Sequence, residues 1–415
     1  MRIINTVVNN PLQSRIGWID SVRALAILLV ILGHIELSDS INDLIYSFHM
    51  PLFFLISGFT FNKEKISSIP IKEYVIKNLK RLVIPYFWIE FLSLPLWVIE
   101  YRVLSNSNTQ SFFEIFKGIF IANGKICAFP ARPAWFLLTL FVALIGYRII
   151  LQIAKGDEGK EICLVAVCAL ISVSEAGVQL PWRINVAGTG IAFIFIGSKL
   201  ISLLKSEEKF TFMNDFSKII KKFFFICLML LLGLYSHYFN GRISMATNKF
   251  GKSTLLFYVT AILLSVVFII VIKKMPDFRL LSYIGRNTLI MVGFHKHIIL
   301  IIDQFDELSK LSDFIKFLLA ITIFIVLVPV CALFNRIAPY VAGNKYKGGS
   351  LQDISKYIVT AVCVFTPAFY VCKYIFGFSI LMWIMNVLIT AVGSIGFVLL
   401  ANRFLPIIFA TDKSK

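Results

Sequence analysis

Long apolar runs recur from near the start of the chain almost to its end, and no other feature restricts the fold as strongly. They cover 22–38, 44–61, 82–101, 134–153, 162–176, 186–204, 219–239, 253–272, 280–302, 314–335, 357–376 and 379–402. A helix needs about 20 residues to cross the hydrocarbon of a bilayer, and most of these runs are of that order. Within lipid every backbone polar group must be satisfied internally, so a spanning run folds as a helix. With 58% of its 415 residues hydrophobic and 15% charged, the chain carries more apolar surface than water-soluble cores hide. The connectors are too short for a separate soluble domain. The expected fold is all-α, a polytopic integral membrane helix bundle. The first run follows about twenty mixed residues and does not end at a small-residue cleavage site, so it reads as a retained span.

Charge orients the spans. Of the 41 Lys and Arg, 27 fall in loops or toward span ends on the side of residue 1 and 12 in those of the opposite side, with Arg23 and Arg286 counted within spans. That bias places both termini in the cytoplasm of a multi-pass cell (inner or plasma) membrane protein. It also accounts for the net charge of +18. The basic residues are spread over seven segments, so no nucleic-acid partner is needed.

No metal site is expected. Six of the seven cysteines lie in or beside spans, where cysteine packs as a small hydrophobe, and Cys127 stands alone in an outer loop. His295 and His297 of "HKH" are two residues apart and point to different sides of a helix.

The first span, within "WIDSVRALAILLVILGH" (18–34), holds ionisable residues that are expensive in hydrocarbon. Eleven helical steps separate Arg23 from His34, three turns plus about 20°, so the two share one face about 16 Å apart along the axis. Asp20 lies three residues before Arg23, close enough to orient it. One reading gives this face an anion-binding group at its cytoplasmic end and a titratable base toward the far side. The other makes Arg23 a snorkelling anchor and His34 an interhelical contact.

Taken with "FHMPLFFLISGF" (48–59), "RLVIPYF" (81–87), "PAWFLLTLF" (133–141) and "IGRNTLIMVGFHKHI" (284–298), this span resembles the integral-membrane acyltransferase-3 family. The closest likeness is to its fucose O-acetylase-like branch. The resemblance covers about residues 15 to 335. It divides the chain into a membrane domain at 1–336 and a remainder at 337–415, made of a loop, a two-helix hairpin and a tail.

The resemblance implies an O-acyltransferase, with acetyl-CoA or another acyl-CoA as cosubstrate and no bound cofactor. The acceptor would be a hydroxyl of an extracytoplasmic cell-surface glycan or its lipid-linked precursor. The family's essential residues carry over to His34, Arg23 and Asp20. Acyl transfer to an alcohol needs a base for the hydroxyl proton and a donor for the oxyanion, and cationic groups suit the phosphates of CoA. Arg23, Arg81 and Arg286 are therefore assigned to the donor. Positive-inside anchoring predicts Lys80 and Arg81 equally well. His49, at the outer end of the second span and at a depth similar to His34, is assigned to the acceptor with Trp135 and His295. A helix-end anchor for His49, an interfacial belt for Trp135 and packing for His295 remain open. On a regular helix the nine steps from Arg286 to His295 put them on opposite faces unless Gly293 allows a distortion. Ser57 and Gly58 are read as packing. The alternative function is a transporter or flippase for lipid-linked saccharides, although no pair of interrupted helices marks inverted repeats.

Overall fold

The computed structural model describes residues 17–100, 111–124, 126–174, 178, 180–209, 216–306 and 308–409. The basic residues at 2, 15, 102, 125, 413 and 415 lie outside the described residues. The described chain is helical: α1 (Gly17–Ile35), α2 (Asp39–Phe59), α3 (Lys63–Ser68), α4 (Ile71–Asn78), α5 (Ile84–Val98), α6 (Phe112–Ile121), α7 (Trp135–Ala154) and α8 (Glu158–Ser174), then α9 (Ile184–Lys209), α10 (Phe216–Asn240), α11 (Thr254–Lys273), α12 (Arg279–Arg286), α13 (Thr288–Asp306), α14 (Asp313–Ile337), α15 (Ser350–Phe376) and α16 (Ile380–Phe404). Each of the twelve apolar runs is met by a helix or helix pair. Among the described residues nine helices are long and apolar enough to cross a membrane. The chain is an all-α, multi-pass membrane protein. The helices α2, α8 and α13 are shorter or more polar, because α2 and α13 carry His and Asp and α8 has 17 residues.

Two spans depart from the sequence expectation. The third reaches back to Ile71 through a π turn at Leu79–Val83 that contains Lys80 and Arg81. Pro85 has no N–H to offer the carbonyl of Arg81, so the regular register cannot be kept there. The ninth is not one helix. The side chain of Asn287 donates to the carbonyl of Tyr283 at 2.7 Å, and Arg286 Nε donates to that of Ser282 at 3.0 Å. Side chains that bond the carbonyls four residues back compete with the helical ladder, and α12 ends at Arg286 while α13 starts at Thr288. The opposite-face argument for Arg286 and His295 therefore does not apply. The break is at Asn287 and not at Gly293.

The chain divides into two compact units. The first is Met1–Val75, Thr139–Thr288 and Ser312–Ile321. In it α2 packs on α1, α9 and α11, α1 on α12, and α10 on α11. Close approach is built on glycine: a Cβ on Gly58 would stand 2.2 Å from the carbonyl of Ile194 in α9, so the glycine of "SGF" is a packing residue.

The second unit is Ile76–Leu138, Leu289–Leu311 and Thr322–Lys415. The hairpin α15–α16 belongs to it and α15 packs on α5. Trp88 of α5 lies between Tyr340 and Phe409, with ring centroids at 5.2 and 5.6 Å, and its Nε1 donates to the carbonyl of Ile408 at 3.0 Å. The unit thus includes residues on both sides of position 336.

Candidate functional site

In the first unit α1 runs unbroken from Gly17 to Ile35, so Arg23 and His34 lie on one face about 16 Å apart. Arg23 Nη1 donates to Asp20 Oδ1 at 3.1 Å, with the carboxylate side chain 7% exposed and the guanidinium side chain 24% exposed. An ion pair this sheltered fixes the direction of the guanidinium far better than a surface pair does. The last turn of α12 lies directly against it. A Cβ on Gly285 would stand 1.8 Å from the carbonyl oxygen of Asp20, a distance only glycine tolerates. Arg286 is the next residue. The structure therefore brings Asp20, Arg23 and the backbone of Arg286 together at one end of α1.

His34 lies at the other end. The α1–α2 turn that follows it is tightly held: Glu36 adopts φ 61°, its carbonyl accepts from the buried Nζ of Lys316 at 2.8 Å, and the N–H of Ser38 donates to Asp313 Oδ1 at 2.9 Å. A non-glycine residue with such a φ is held there by its surroundings. Tyr46 of α2 bridges back, its hydroxyl donating to the carbonyl of Gly33 at 3.4 Å. His49 meets the Tyr46 ring edge-on at 5.0 Å.

His49 itself is 5% exposed, and its Nδ1 donates to the carbonyl of Ile45 at 2.7 Å. That bond fixes the tautomer and leaves Nε2 as the acceptor nitrogen. Because α2 starts at Asp39 and not at 44, His49 is midway along its helix.

The remaining assigned residues belong to the second unit. Arg81 is exposed in the π turn. Trp135 is 6% exposed, a buried ring and not one displayed in an open belt. His295 is fully buried, with Nδ1 donating to the carbonyl of Met291 at 2.7 Å.

Sequence reasoning missed a buried pair beside it. His297 Nδ1 donates to Glu100 Oε1 at 2.5 Å, with the side chains 2% and 3% exposed. Glu90 is likewise buried and accepts from the N–H of Ala131 at 2.9 Å. The available signal was the two carboxylates inside the apolar "WIEFLSLPLWVIE" (88–100), since buried acids are almost always paired. Among the described residues no group of three or more His, Cys, Asp or Glu is placed to hold a metal ion.

Residues 16–336 match the sequence model of the acyltransferase-3 family, described as an acyltransferase domain. No curated protein and no solved structure matches the chain. The match takes in α1 to α14 except the last residue of α14, and with it Asp20, Arg23, His34, Arg286, Arg81, His49, Trp135 and His295. A helical, multi-pass membrane protein matched over most of its length in this way belongs to the acyltransferase-3 family and is a membrane acyltransferase.

Proposed function

We propose that the protein is an O-acyltransferase of the fucose O-acetylase-like kind, moving an acetyl group from cytoplasmic acetyl-CoA to a hydroxyl of an extracytoplasmic surface glycan or its lipid-linked precursor. The observation that carries this reading is the α1 face, with the Asp20–Arg23 ion pair at one end and His34 at the other. Arg23, oriented by Asp20 and joined by Arg286, serves the anionic donor, a task suited to a planar guanidinium. Positive charge bias supports a cytoplasmic place for this end. His34 acts as general base. It takes the proton of the acceptor hydroxyl as that oxygen bonds to the thioester carbonyl carbon. The carbon–sulfur bond then breaks, and the CoA thiolate leaves and takes up a proton. An extended pantetheine arm spans the roughly 16 Å between the two groups. His49, which meets the ring of Tyr46 in the same unit, is assigned to the acceptor.

Replacing His34 tests the assignment. His34→Gln and His34→Ala should insert and purify as the unaltered protein does, yet lose about 10²- to 10⁴-fold in ester formation, the range typical of a general base. Near-normal ester formation by either variant would remove His34 from the chemistry.

A further inference from the structure

We propose that Asp43 and Arg242 form a hydroxyl-binding clamp for a saccharide acceptor, placed beside His34. This rests on the reading of the protein as an acyltransferase acting on a glycan. Arg242 Nε lies 3.5 Å from Asp43 Oδ1, and their side chains are 68% and 25% exposed. Exposed pairs of this kind contribute between nothing and about 1 kcal/mol to a fold, so stability alone gives little reason for two charges here. Their position gives a better one. Asp43 lies one turn before Tyr46 on α2, and Tyr46 bonds the carbonyl of Gly33, the residue before His34. Arg242 and Glu36 both act electrostatically on Tyr46, and Asp43 acts on His237 at the end of α10. The pair therefore stands one helical turn from the residue that bonds the end of α1 carrying His34.

The segment that carries Arg242 is built to hold its shape. Asn240 fastens both ends of the loop, its Nδ2 donating to the carbonyl of Phe250 at 2.9 Å and its Oδ1 accepting from the N–H of Ser253 at 2.7 Å. Asn248 anchors the tip by donating to the carbonyl of Ser172 at 2.8 Å. Ile243 and Met245 are buried beneath it. A rigid support of this kind reduces the ordering cost of binding. Carboxylate acceptor and guanidinium donors side by side match the adjacent hydroxyls of a sugar ring, each of which donates one hydrogen bond and accepts another. The Glu36 and Asp39 carboxylates on the same side make a hydroxyl-rich acceptor a better fit than a purely anionic one.

Steady-state transfer from labelled acetyl-CoA to surface glycan stripped of its esters by mild base tests the clamp. Arg242→Gln and Asp43→Asn should each raise KM for the glycan by about ten- to a hundredfold, the loss of one charge-assisted hydrogen bond. KM for acetyl-CoA should stay within about twofold. The double exchange Asp43→Arg with Arg242→Asp separates binding from mere clasping of α2 to the loop, because it restores an ion pair but reverses what the sugar meets. It should remain as impaired as the single variants. Unchanged glycan KM in the single variants, or recovery in the exchange, would overturn the clamp. Absence of transfer by the unaltered protein would count instead against acyl transfer itself.

Discussion

Each unit contains a buried histidine whose Nδ1 is tied at 2.7 Å to the carbonyl four residues back, His49 in the first and His295 in the second. The local geometry is the same, yet the settings differ. In the first unit the histidine meets the ring of Tyr46, whose hydroxyl bonds the carbonyl of Gly33 near the end of α1. In the second its neighbour two residues on is locked to Glu100, with both groups almost fully enclosed. A histidine fixed by its own helix thus says little about chemistry. What separates the units is an ion pair whose Arg23 stays 24% exposed, against a Glu100–His297 pair closed in upon itself. A pair closed in this way suits holding helices together.

The comparison can be broken by substitution. Arg23→Ala should lower transfer on the order of a hundredfold, as expected when a substrate is misplaced, and Arg23→Lys should fall between it and the unaltered protein because lysine lacks the planar fork. Wild-type turnover in Arg23→Ala would reduce Arg23 to a topology anchor. Glu100→Gln should act on the other unit and through stability. It removes a charge-assisted hydrogen bond inside a buried pair, at a cost of about 1.5–3 kcal/mol, read as a lower unfolding midpoint in detergent with KM for donor and acceptor unchanged in the folded fraction. A shifted pH profile of transfer in that variant would instead move the Glu100–His297 pair into the chemistry. Gly285→Ala forces α12 away from Asp20, and overpacking of this kind costs about 1–3 kcal/mol. Its effect on donor binding should exceed that of Gly396→Ala, whose Cβ would meet no atom within 4 Å. Equal effects would detach the α1–α12 contact from function. The smallest change is Trp88→Phe. It keeps the ring between Tyr340 and Phe409 but leaves the Ile408 carbonyl unbonded, which should cost about 0.5–1.5 kcal/mol and leave transfer unaltered.

Much of this was legible in the sequence because it depends on short-range pattern. Apolar runs of spanning length mark helices wherever they occur, and the eleven-residue spacing of Arg23 and His34 becomes a shared face as soon as the helix is regular. The missed features have other causes. Asn287 breaks the ninth run through a side-chain hydrogen bond, with no proline or glycine at the break to announce it. The early start of α2 moved His49 from a helix end to a helix middle, since residues 39–43, polar except for Ile41, are helical despite lying outside the apolar run. Glu100 and His297 are 197 residues apart, and nothing local to either names the other. The second unit is likewise assembled from three separated segments, a grouping that tertiary packing decides.

If Arg23 serves the donor and His34 is the base at the opposite ends of α1, acetyl-CoA and the glycan approach from opposite sides of the membrane. Sealed vesicles of the two orientations test it most directly, with labelled acetyl-CoA added only outside. Inside-out vesicles should acetylate glycan held in their lumen, and right-side-out vesicles should be inactive, because the charged nucleotide does not cross hydrocarbon. Equal transfer in both orientations, with the seal verified, would contradict the account.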